Sequence, residues 1–150
     1  MATDEGTMDY AIGFLLRQAH QRASSAFAEA LEPLGISGRH FGVLHNLGRS
    51  GPLSQRELVD RVASDKASMV RTVDDLERAG LAARRPTPGD RRVHSVEITD
   101  RGREVLATAD QTARHVAIRL MDHLDPVKRS QLVELLTEFL QGPGWVKTNR

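Results

Sequence analysis

The stretch from Ser54 to Ile98 constrains the fold most, because its apolar period changes there from that of a helix to that of a strand. Ser54 and Glu57 have the Ser-x-x-Glu spacing of a capping box, just before Leu58 and Val62. This predicts a helix of about two turns. A brief turn at Ala63 and Ser64 follows, and Asp65 is placed to cap a further helix to about Ala79, with Met69, Val73 and Leu76 inward. Gly80 closes that helix at the position that favours left-handed backbone. Leu81–Arg85 and Val93–Ile98 are then short extended stretches, with His94, Val96 and Ile98 alternating with Val93, Ser95 and Glu97. Pro86, Pro88, Gly89 and Asp90 between them carry turn chemistry and predict a hairpin loop.

Asp9 to about Glu32 predicts a long helix, with Leu16, His20, Ala23, Phe27 and Leu31 on one face and Ile12, Ala19, Ala26 and Ala30 beside it. Pro33 and Gly35 end it. Ser37 is an N-cap for a helix with Phe41, Leu44 and Leu47 inward, stopped by Gly48–Pro52. Thr99 or Asp100 begins a fifth helix of about 24 residues to His123, striped by Val105, Ala109, Ala113, Val116 and Leu120. Asp125-Pro126 is an N-cap with proline at the first helical position, leading to a sixth helix carrying Leu132, Leu135, Leu136 and Phe139. Gly142-Pro143-Gly144 breaks it, and the tail to Arg150 is expected to be loose. The fold class is therefore mainly α (α+β by strict count). A single domain spans 1–150, with a lobe at 36–98 between long helical segments at 9–34 and 100–141.

Short helix, turn, helix and hairpin is the order of a winged helix-turn-helix, which places its second helix in a major groove. Lys66, Ala67, Ser68, Val70 and Arg71 lie on the part of that helix not claimed by the core, and their chemistry suits base edges. Ser54 and Gln55 open the preceding helix, where backbone N–H groups suit phosphate. The formal net charge is only +1, so the basic signal lies in its distribution. Arg84, Arg85, Arg91 and Arg92 crowd the hairpin, suited to phosphate or a narrow minor groove, and Asp90 is either placed to pair with Arg92 and hold the loop or an ordinary turn residue.

Asp90-Arg91-Arg92, Ile98-Thr99 and Gly102 resemble the wing signature of the MarR family, which has Asp-x-Arg, an apolar-Thr pair and Gly three residues on. The family usually has Leu at the position of Ile98. Leu53-Ser54-Gln55-Arg56-Glu57-Leu58 and Leu76-Glu77-Arg78-Ala79-Gly80-Leu81 are similar to other MarR segments. The resemblance covers nearly the whole chain. It implies a cytoplasmic homodimer interlocked through N- and C-terminal helices. It also implies an inverted-repeat double-stranded DNA operator, usually repressed, and relief by a small, often aromatic, acidic effector. The broad apolar faces of the first, fifth and sixth helices agree with such a dimer.

For an effector, Arg17 and His20 are three apart on the first helix and His40 flanks Phe41 on the second. Arg17 is suited to a carboxylate by a bidentate bond, with His20 and His40 as polar neighbours. The alternative is that Arg17 makes a structural ion pair and the histidines fill core edges. The chain has no cysteine, which excludes disulfides, thiolate metal sites and thiol redox switching. Its six histidines show no paired-ligand spacing, so no metal or other cofactor is expected, although some relatives sense metals. No Gly-rich phosphate loop, nucleophile elbow or carboxylate pair marks an enzyme. No apolar run reaches the ~20 residues that span a bilayer, and the polar, acidic N-terminus is not a signal peptide. A winged helix that only binds protein remains the rival from another class.

Overall fold

A computed structural model describes residues 5–142, and the side chains of residues 10–90 and 94–142. The chain divides into two compact units, Met1–Val116 and Ala117–Arg150.

The first unit is organised around α2 (Gly38–Ser50), α3 (Gln55–Val62) and α4 (Lys66–Arg78). Their inward residues Val43, Leu44, Leu47, Leu58, Met69, Val73 and Leu76 are buried together with Leu31 and Ile36. Each helix begins where a short side chain satisfies its free N–H groups. Ser37 accepts from His40, Ser54 from Glu57 and Asp65 from Ser68. The turn between α3 and α4 has Ala63 in left-handed backbone, φ 49°. α4 ends in a Schellman motif: Gly80, at φ 71°, donates to Glu77 O, and Leu81 donates to Leu76 O. Leu76 and Leu81 are both buried, the apolar contact that accompanies this motif.

The sheet departs from the two-stranded expectation. β1 (Leu53–Ser54) joins β2 (Ala82–Thr87) and β3 (Asp90–Ile98) in the antiparallel order β1-β3-β2. Leu53 pairs with Val96, and both are buried. β2 runs through Pro86, which was expected in the loop, and pairs it with His94. Proline is tolerated there because β2 is an edge strand whose outer N–H groups need no partner. Asp90 likewise begins β3, so the tip shrinks to Pro88-Gly89.

α1 (Glu5–Leu31) starts earlier than expected and passes into a 3-10 turn, Glu32–Leu34. Its C-terminal end packs in this unit: Leu31 is buried, and Phe27 meets Phe41 edge-on at 5.1 Å between ring centres. Further back its apolar residues are open, with Tyr10 87% and Leu15 61% exposed. α5 (Asp100–Leu120) begins against the end of β3 and the α4 turn, where Thr99 caps it. The Thr99 hydroxyl accepts from Gly102 N–H at 3.0 Å and donates to Gly80 O at 2.7 Å. A Cβ on Gly102 would stand 2.0 Å from Leu81 O, so only glycine admits this approach.

In the second unit α5 ends at Leu120, short of the His123 expected, and a turn leads to α6 (Pro126–Gln141). Asp125 caps α6 by accepting from Lys128 N–H at 2.9 Å. Arg129 closes the turn by donating to Leu124 O at 2.8 Å and Asp122 O at 3.2 Å. α6 has no buried residue, and Leu135 and Phe139 are more than 60% exposed.

Candidate nucleic-acid interface

Packing of Met69, Thr72, Val73 and Leu76 into the core turns the opposite side of α4 outward. Lys66, Ala67, Val70 and Arg71 are exposed there, on two adjoining turns of helix. Ser68 is half-buried at their edge, and Arg71 donates to its hydroxyl at 3.3 Å. This surface offers an ammonium, a guanidinium, a methyl and an exposed isopropyl group. Such groups suit guanine edges and phosphate on one hand and thymine methyls on the other. Asp65 anchors the first turn, its carboxyl held below its ordinary pKa by hydrogen bonds from the Ser68 side chain and amide.

The start of α3 is the capping box expected of Ser54 and Glu57. The Ser54 N–H and hydroxyl both donate to Glu57 Oε2, at 2.8 and 2.7 Å. These bonds keep the Glu57 carboxyl below its usual range, so a carboxylate occupies the place considered for phosphate. The Gln55 side chain is also engaged, accepting from Arg84 Nε at 3.0 Å.

Arg84 is the clearest relocation. Strand alternation places it on the same face as buried Ala82, opposite buried Val96, while Arg85 points to solvent. Its guanidinium pairs with Asp74 at 2.8 Å and with Glu77, so it is not a free wing cation. Asp74 and Glu77 carry no sequence signal as its partners, whereas the period of two along β2 separates Arg85 from Arg84. The side chains of Arg91 and Arg92 lie outside the described residues, and with them the expected Asp90–Arg92 pair.

The effector candidates lie on α1 and α2. Arg17 and His20 are exposed on α1, with Ser24 Oγ 3.4 Å from His20 Nε2. Among the described residues Arg17 has no ion-pair partner, unlike the structural alternative considered for it. His40 completes the α2 capping box: its Nδ1 accepts from Ser37 N–H at 3.0 Å. Its Nε2 lies 3.4 Å from Asp75 on α4. The Ser37-x-x-His40 spacing is that of a capping box with imidazole in place of a carboxylate, a signal available in the sequence. Among the described residues no three or more His, Cys, Asp or Glu gather as metal ligands, and no helix is long and apolar enough to cross a membrane.

The MarR family model matches residues 34–93, from the start of the lobe into the first residues of β3. The HTH-type transcriptional repressor NicR of Pseudomonas putida is 32% identical over 129 residues, covering 86% of this chain and 82% of NicR. The chain belongs to the MarR family. Its backbone agrees with E. coli MarR in the apo form at a TM-score of 0.77 and 26% identity, over 85% of this chain and 96% of that one. Bordetella bronchiseptica BpsR, solved to show how 6-hydroxynicotinic acid regulates its DNA binding, gives a TM-score of 0.79 at 27% identity, covering 87% and 99%. The MarR winged helix is thus the fold of this chain, a transcriptional regulator of that family. Its wing signature has a physical basis: Thr99 ties α5 to the α4 turn, and Gly102 lets α5 reach Leu81.

Proposed function

We propose that the chain acts as a homodimeric repressor that binds an inverted-repeat operator and releases it when a small aromatic acid binds. The exposed α4 face of Lys66, Ala67, Val70 and Arg71 carries the reading. A helix with its other side committed to the core presents these groups at a fixed angle, as major-groove reading requires. The wing, with Arg85, Arg91 and Arg92, supplies phosphate or minor-groove contacts beside it. Residues 1–150 act as one MarR-type domain, and α1, α5 and α6 supply the dimer contacts. The open apolar surfaces of α1 and α6 support this, since patches of such residues mark association surfaces.

NicR is a repressor, which supports the direction of control; BpsR binds DNA under control of 6-hydroxynicotinic acid, which supports an aromatic carboxylate as effector class. Arg17 is the anchor for that carboxylate, being exposed and unpaired among the described residues. His20 and His40 flank the ligand, although His40 must then exchange its Asp75 contact for it. A ligand that binds the DNA-free arrangement better shifts the equilibrium by its differential affinity, so DNA binding falls by about 5- to 150-fold at saturation.

The test is fluorescence anisotropy with DNA from upstream of the gene, followed by titration with 6-hydroxynicotinic acid and salicylate. Saturable binding that outcompetes scrambled DNA is expected, with release by at least one acid and loss of release in Arg17→Ala. Equal affinity for scrambled DNA overturns the operator reading. A normal response of Arg17→Ala to an active acid moves the pocket elsewhere.

A further inference from the structure

α3, α4 and β2 converge on one guanidinium. Arg84 Nε donates to Gln55 Oε1 at 3.0 Å, on the first residue of α3. Its remaining nitrogens pair with Asp74 at 2.8 Å and with Glu77, one helical turn apart on α4. The Arg84 backbone N–H also donates to Glu77 Oε1 at 2.7 Å, so Glu77 holds both the main chain and the side chain of the wing strand. The Arg84 side chain is 24% exposed. A guanidinium directs its donors in a rigid plane, so acceptors arriving from α3 and α4 fix the angles between those helices and the strand that carries Arg84. An ammonium on a flexible stem does not.

We propose that Arg84 is a positioning residue for DNA binding: it locks the wing to the recognition helix so that both meet DNA as one rigid piece, without itself touching DNA. The proposal rests on the DNA-binding reading and says how the two halves of that surface keep their spacing. The carboxylates give the argument its second leg. Asp74 and Glu77 lie on the helix expected to face a polyanion, where unneutralised negative charge opposes binding. Paired with Arg84, they stay close to DNA at little electrostatic cost and brace the hairpin root.

Glu77→Gln separates this role from a direct phosphate contact, because the two predict opposite signs. The substitution removes a negative charge from α4 and loosens Arg84. If Arg84 reaches phosphate, or if charge alone matters, affinity rises and the salt dependence steepens. In the positioning role, glutamine offers one acceptor where Glu77 uses two, the hairpin root loosens, and affinity falls by about tenfold. Arg84→Lys keeps the charge but loses the planar fork, and a loss of similar size is expected.

Both variants are to be compared with wild type on the same DNA across a salt series, with folding checked by circular dichroism and assembly by sedimentation. Amide exchange of Arg84 and the rest of β2 should quicken in each. Binding by Glu77→Gln equal to or tighter than wild type overturns the proposal. So does full affinity in Arg84→Lys, which decides the matter alone if Glu77→Gln does not fold. Wild-type protein that binds no DNA overturns the DNA-binding reading and this inference together, whereas wild-type binding with unaffected variants overturns the inference alone.

Discussion

Gly48 and Gly102 show how two glycines in similar settings carry different weight. Both lie within helices, and an added Cβ would approach a neighbour closely at each. At Gly48 the neighbour is Leu106 Cδ2 at 2.6 Å, the far end of a side chain that can turn away. At Gly102 it is the Leu81 carbonyl oxygen at 2.0 Å, and backbone in a sheet root cannot yield. Gly102→Ala is therefore expected to destabilise by roughly 1–3 kcal/mol or more, the range for overpacking. Gly48→Ala should be close to neutral, because helix propensity offsets its smaller clash. Urea denaturation of both variants checks the order, and equal midpoints would contradict it. The capping carboxylates give a pH prediction at the same scale. Asp65 and Asp125 are held low by bonds from Ser68 and Lys128, and Glu57 by bonds from Ser54. A lowered folded pKa adds stability that is complete above the unfolded value near 4 and is lost as pH falls through the folded values. Asp65→Asn keeps a capping oxygen but has no proton to bind. Its melting temperature should therefore fall less steeply than wild type between about pH 5 and pH 2. An unchanged slope would remove Asp65 from the account.

At the scale of elements, the proposed binding is divided between α4 and the wing. Arg71 stands on the open face of α4, where a bidentate bond to guanine discriminates by about 1–3 kcal/mol. Arg71→Ala is expected to flatten preference at one base position, with other positions unchanged, in a binding screen of single-base operator variants. Arg85 leaves the opposite face of β2 from Arg84 and is proposed to contact phosphate. Its loss should weaken all sequences alike and reduce the salt slope by about 0.9 if one phosphate contact is removed. A sequence-selective loss in Arg85→Ala, or a uniform one in Arg71→Ala, would exchange their roles.

For the molecule as a whole, the apolar residues left open are the main feature the lobe does not explain. Leu135 and Phe139 on α6 make no buried core within their unit, and Tyr10 and Leu15 on α1 make none in theirs. Leu135→Glu should therefore spare the lobe's folding while weakening self-association, since a charge cannot be buried unpaired in an apolar contact. The expected result is helical circular dichroism close to wild type, a monomer in sedimentation, and DNA affinity reduced because half-sites are no longer engaged in pairs. A variant that stays dimeric would place the dimer contacts elsewhere.

What the sequence determined by itself was local. Ser54, Asp65 and Asp125 were readable as caps because each bonds an N–H three residues on, and Gly80 as a stop because left-handed backbone is an intrinsic preference. The inward faces of α2 to α4 followed from apolar spacing for the same reason. Tertiary structure alone decided the rest. Arg84 looked like any wing arginine, yet its partners lie 7 residues away at Glu77 and 29 away at Gln55. The two-residue strand β1 has no periodicity of its own and exists only because β3 pairs with it. Pro86 reads as a breaker until the strand order makes β2 an edge. Short-range hydrogen bonds are encoded in spacing. Which side chain fills a neighbour's empty acceptor depends on how separate elements pack, which a linear pattern of apolar and polar residues does not specify.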